Sequence, residues 1–179
     1  MLQTIQDFVL ASFSNKSFFY VIDAYNLLFK TRKPSKFSEQ SKNDFISLLD
    51  NWMGSFGFKG ILIFDSNPNH ARDYPTKSRL NHLEIAHAPI NLEGDLYILE
   101  YLSALKNKPQ VRLITSDREL SAHAKNLQIK TISCSEFYSH LTELAQKSEA
   151  IKNDLKPHRD SKQEIERLEK IFESNSKKL

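Results

Sequence analysis

Three short runs, residues 17–23 (SFFYVID), 60–65 (GILIFD) and 111–117 (VRLITSD), are nearly unbroken in apolar, β-branched and aromatic residues, and each ends in an aspartate. A strand that is apolar without alternation must be covered on both faces, the condition met by a parallel sheet between two layers of helices. Two further runs, 82–88 (HLEIAHA) and the shorter 129–133 (IKTIS), also read as strands. Helical periodicity fills the gaps. Residues 5–13 place Ile5, Phe8, Val9 and Phe13 on one face, and 41–53 do so with Phe45, Leu48, Leu49 and Trp52. Residues 93–105, 117–127 and 135–146 complete the set. Strands alternating with helices predict an α/β fold: a doubly wound, mostly parallel sheet with helices on both faces.

The chain has 179 residues, 40% of them hydrophobic, which suffices for one sizeable core. Residues 148–179 differ in kind, with eight Lys/Arg and seven Asp/Glu around Pro157. Ile165, Leu168 and Phe172 there form only a thin apolar stripe. The expected organisation is a domain over 1–147 and a charged C-terminal helical extension over 148–179, serving either as a partner-binding helix or as a solvated terminal one. The single cysteine, Cys134, excludes an internal disulfide framework and a thiolate zinc site, and reads as a small buried side chain. No run approaches the ~20 apolar residues that cross a bilayer, and no basic segment followed by an apolar core opens the sequence. A cytoplasmic protein without a membrane partner is expected. The net charge of +3 is too small to decide for or against an anionic partner.

The strand ends carry the chemistry. In a parallel sheet all carboxyl ends lie along one edge, where open α/β folds bind ligands. Asp23, Asp65 and Asp117 would meet there, joined by Asp95 in EGDLYILEYL at the start of the following helix. Asp95 and Asp117 also have a local role as first-turn or capping acids, worth ~0.3–1 kcal/mol. Taken together, four carboxylates on one edge repel one another and call for a hard divalent cation, Mg²⁺ or Mn²⁺. With four glycines in the whole chain and neither a P-loop nor a dinucleotide fingerprint, phosphodiester hydrolysis is the natural reaction.

VIDAYNLL, IFDSN, EGDLYILEYL and LITSDREL, in this order and followed by SCSEFYSHL, resemble the YacP-like group of NYN domains in the PIN-like nuclease superfamily, over roughly residues 17–145. The resemblance implies metal-dependent endoribonuclease activity, with Asp23, Asp95 and Asp117 as catalytic metal ligands and Asp65 as a further, assisting one. It gives Asn26 the task of orienting the first acid or its loop, and lets Ser116 bond a carboxylate or phosphate. It also implies a single-stranded RNA substrate, with messenger RNA on a ribosome as a context and the C-terminal helix as the segment for a ribosome or protein partner. Relatives usually carry Thr-Ala-Asp where this chain has Glu93-Gly94-Asp95. Glu93 therefore either adds to the acids or caps the helix, and the cap is the preferred reading.

Basic residues flank the acids in sequence. Lys30, Arg32 and Lys33 follow the first motif, Arg72, Lys77 and Arg79 lie in the long segment 66–82 after Asp65, and Arg118 follows Asp117. These are the expected RNA-backbone contacts. Segment 66–82 reads as a flap-like loop rising beside the acidic edge. A catalytically inactive RNA- or ribosome-binding module on the same fold is the alternative. A small-molecule phosphohydrolase accommodates the acids but leaves the basic segments without a purpose.

Overall fold

A computed structural model describes residues 18–31, 38–66 and 75–154, with side chains through 149. The predicted helix at 5–13 and the stripe at 165–172 lie outside the described residues. Six strands form one sheet: β1 (Phe19–Asp23), β2 (Lys59–Phe64), β3 (Thr76–Arg79), β4 (Leu83–His87), β5 (Val111–Ile114) and β6 (Lys130–Ile132). Their order is β3-β4-β2-β1-β5-β6, parallel throughout except that β3 runs antiparallel to β4. The helices are α1 (Ala24–Thr31), α2 (Glu39–Ser55), α3 (Gly94–Ala104), α4 (Arg118–Asn126) and α5 (Cys134–Asp154). Contacts group the chain into 1–144 and 145–179, and the sheet belongs to the first unit.

The period-2 alternation of a strand sorts its side chains to two cores. Tyr20 and Ile22 of β1, with Leu62 and Phe64 of β2, pack under α1, α2 and α5. Val21, Ile61 and Ile63, one residue out of phase, pack under α3 and α4. Every residue from Tyr20 to Ile22 is fully buried, which is why β1 reads as an unbroken apolar run. Helices therefore cover both faces of a mostly parallel sheet, as the sequence predicts.

Two elements were not legible. Residues 24–31 form a short helix directly off Asp23, anchored by buried Ala24, Leu27 and Leu28. The supposed loop over 66–82 ends in β3, whose sequence TKSR has no apolar residue. Such a strand has no pattern of its own to announce it, and it exists because β4 offers an edge. The turn joining β3 to β4 is tied down by α2: the buried carboxylate of Asp50 accepts from the amides of His82 (2.9 Å) and Leu83 (2.8 Å). One turn along the same helix face, Gly54 lies against the His82 imidazole, and a Cβ there would strike the ring. Asp50→Ala would strand two amides beside a buried wall, a loss of about 2–3 kcal/mol. Hydrogen exchange should report it first at Lys77–Leu83, with the β1–β5 amides remaining protected.

Candidate active site

The strand order makes β1 the switch point of the sheet. The chain leaves it toward β2 and β4 on one side and returns to β5 and β6 on the other. Asp23, the last residue of β1, thus lies between the ends of β2 and β5, where Asp65 and Asp117 follow.

Asp23 is half-buried and held on both oxygens. The Asn26 amide donates to Oδ1 (3.1 Å) and the Thr115 hydroxyl to Oδ2 (3.0 Å). Thr115 Oγ1 in turn accepts from the Asp117 amide (3.0 Å), so one buried hydroxyl bridges the first and last acids. The Asn26 side chain closes the other flank. Its Oδ1 accepts from the Ser116 amide (3.3 Å) and from the Cys134 thiol (3.5 Å), while Ser116 Oγ accepts from the Cys134 amide (3.2 Å). Asn26 and Ser116 therefore lock the β1, β5 and β6 ends together. Burial pushes the Cys134 thiol up to about 11, so it stays protonated and acts as a packed donor rather than a nucleophile.

Asp117 also caps α4, accepting from the Leu120 amide (2.8 Å) through Oδ1, so its local role and its place at the site coexist. Glu93 occupies the cap position of α3, yet its side chain makes no capping hydrogen bond, against the preferred sequence reading. Glutamate is too long to fold back as the short capping residues do. Glu93 instead lines an open depression of about 370 Å³ with Asp65, Ser66, Gly94 and Asp95. A Cβ at Gly94 would land on Asp65 Oδ1, so glycine is what lets the Asp65 carboxylate lie against the start of α3.

Electrostatics links these acids. Burial raises the Asp23 carboxyl to about 6, against the lowering by Asn26 and Thr115, and the charges of Asp95 and Asp65 add to the rise. Asp95 is raised by partial desolvation and then by Asp117, Asp65, Glu93 and Glu119. Tyr25 is raised by burial, followed by Glu39 and Asp65. Among the described residues no group of three or more His, Cys, Asp or Glu side chains is arranged to hold a metal ion directly. The donor set fits a hydrated hard cation, since Mg²⁺ keeps several waters and takes one or two carboxylates. Thr115 and Glu119 are the site residues that sequence reasoning passed over. The spacing of Thr115 two residues before a capping aspartate was the available signal.

Of the basic residues, Lys30 at the end of α1 and Arg118 at the start of α4 are exposed close in sequence to site residues. Lys77 lies over the Tyr101 ring (5.0 Å) opposite Ala86, whereas Arg79, opposite Glu84, is carried back from the acid edge because β3 runs antiparallel. Arg32, Lys33 and Arg72 lie outside the described residues.

A carboxylate whose folded pKa exceeds its unfolded value of 3.8 contributes most favourably below that pH, and the contribution is lost as pH rises through about 6. Without divalent ions, Asp23→Asn should therefore stabilise the fold at pH 8 by roughly 1–3 kcal/mol. The advantage should shrink toward pH 4, as urea denaturation in EDTA at both pH values would reveal.

None of the curated proteins compared with the chain matches it. Solved structures that share its fold include Rae1 (YacP) from Bacillus subtilis, 18% identical, covering 89% of this chain and 92% of that one at a TM-score of 0.59, and a single-substitution variant of it, 18% identical, covering 79% and 84% at 0.61. At that identity the likeness is one of fold. The family model of the YacP-like NYN domain matches residues 20–179, which spans the sheet, the acids and the C-terminal segment; the chain belongs to the YacP-like NYN domain family.

Proposed function

We propose that the chain is a divalent-metal-dependent endoribonuclease acting on single-stranded RNA. The observation that carries this reading is the convergence of acids from separate segments at the switch point of a PIN-like nuclease fold, where Asp65 and Asp95 act on Asp23 and Asp65 and Asp117 act on Asp95. Asp23, Asp95 and Asp117 would hold Mg²⁺ or Mn²⁺, with Asp65 assisting. When bound, the ion supplies Lewis-acid stabilisation of charge on the phosphodiester and lowers the pKa of water. The chain's own part is positioning. Thr115 and Asn26 fix the Asp23 carboxylate, and Asp117 keeps Oδ2 available while Oδ1 caps α4. Glu93 and Ser116 support the acids from either side of the site.

Lys30, Lys77 and Arg118 would take RNA phosphates, joined by Arg32, Lys33 and Arg72 from segments outside the described residues, whereas Arg79 lies too far back along β3 to join them. Messenger RNA on a ribosome is the proposed context. The domain is taken as 1–147 and the extension over 148–179 as the contact for a ribosome or protein partner, in the cytoplasm. No described helix is long and apolar enough to cross a membrane. The alternative is an inactive RNA- or ribosome-binding module, favoured by the lack of a direct three-ligand cluster among the described residues.

Asp23→Asn and Asp117→Asn should each lower cleavage of single-stranded RNA in Mn²⁺ by at least about 100-fold with an unchanged circular dichroism spectrum, asparagine being a good cap at 117. EDTA should abolish wild-type cleavage. Undiminished cutting by both variants would sink the nuclease assignment, and RNA binding without cleavage at millimolar Mn²⁺ would select the binding module. Gly94→Ala, which displaces Asp65, should slow cleavage by about tenfold without unfolding the chain.

A further inference from the structure

The core-facing stripe of α2 recurs at the helical period, and its buried residues are Lys42, Phe45, Ile46, Leu49, Asp50 and Met53. Two of these carry charge. Asp50 is accounted for by the His82 and Leu83 amides that it holds. Nothing comparable holds Lys42. It is 8% exposed, and its ammonium lies over the Phe64 ring at 4.4 Å and the Tyr25 ring at 5.8 Å. Its ionic partner among the described residues is Glu39, at 3.9 Å and on a side chain 74% exposed. That separation exceeds a charge-assisted hydrogen bond by about 1 Å.

An apolar residue would fill this place on the stripe without electrostatic cost. A buried ammonium has a desolvation penalty that ring faces and a loosely held carboxylate only partly offset. A cation kept against that penalty calls for a second use, and its location indicates which. Met53 lies by Gly60 at the start of β2, whereas Lys42 lies by Phe64 at its end, so α2 runs antiparallel to β2 and opens at the acidic edge. Phe64, under the ammonium, immediately precedes Asp65. The stem packs in the core while the charged end serves the rim. Glu39 shows that an anion can reach it from water, because that exposed carboxylate already stands within 3.9 Å. On the reading above, on which this inference rests, the acids take the scissile phosphodiester, and the strand carries further phosphates past this point. We infer that Lys42 is a phosphate-binding residue whose ammonium exchanges the Glu39 carboxylate for a non-scissile phosphate of the RNA strand crossing the acidic edge. A contact of this kind adds affinity and fixes the position of the strand without reading its sequence.

The test is fluorescence anisotropy of the full-length chain with a labelled single-stranded oligouridylate in EDTA, across a series of salt concentrations. Lys42→Met should weaken binding at low salt by about fivefold and reduce the slope of log Kd against log salt by about 0.7, the share of one phosphate on a single strand. Methionine keeps the stem and removes a buried charge, so the urea midpoint should hold or rise. Glu39→Gln frees the ammonium and should tighten binding by about twofold, a gain that should vanish in the Lys42→Met background. Unchanged affinity and slope in Lys42→Met overturn the phosphate site, and cleavage by that variant in Mn²⁺ then leaves the nuclease reading intact. Weaker binding with an unchanged slope also overturns it, since the loss would come from altered packing on Phe64 rather than from a lost ionic contact. Failure of the wild-type chain to bind RNA at any salt concentration overturns both.

Discussion

Asp23 sits where a fully buried strand runs out, and keeping a carboxylate there costs free energy that two hydrogen bonds only partly offset. Much of the surrounding architecture serves that one group. α1 starts immediately after it so that the Asn26 amide reaches Oδ1. The β5 end presents Thr115 to Oδ2, and the Asn26 side chain ties the Ser116 amide and the Cys134 thiol into the same frame. A side chain restrained this way has lost its rotamer freedom before any ligand arrives, which is the physical meaning of preorganisation.

The other acids are added from segments with their own reasons to be acidic. Asp117 caps α4, and Asp95 stands in the first turn of α3, where negative charge favours the helix dipole. Local stabilisation of each thus supports a collective arrangement in which neighbouring charges add to the raised proton affinity of Asp23 and Asp95. On the proposed reading, that repulsion is what would draw a divalent cation to the site. Gly94 belongs to the same design, because only an absent side chain permits Asp65 to lie against the α3 start.

How much could be read beforehand depended on whether a residue's neighbours were local. Five strands were legible because burial on both faces leaves an apolar run, and four helices because the periodicity of one face survives in sequence. β3 was not, since Thr76–Arg79 takes its conformation from the β4 edge and from a turn pinned by Asp50. α1 was obscured by its eight-residue length and by the motif it carries. At the site, the acids were visible from their place at strand ends, but the bridging hydroxyl of Thr115 was not, because its partner Asp23 is 92 residues away. Glu93 shows the opposite error: a local rule favoured a cap, yet its side chain makes no capping bond and the residue lines the acidic depression.

The amino-acid sequence by itself determined that the chain is a layered α/β protein and which residue types stand at its strand ends, since apolar runs and their terminators are properties of consecutive residues. Only the tertiary structure decided which of those ends are neighbours. Strand order, not spacing along the chain, places Asp23 between Asp65 and Asp117 and carries Arg79 away from them, and the packing of α2 sets the Lys42 ammonium over Phe64 beside them. Electrostatic coupling and ring contact fall off within a few ångströms, and only folding sets distances on that scale.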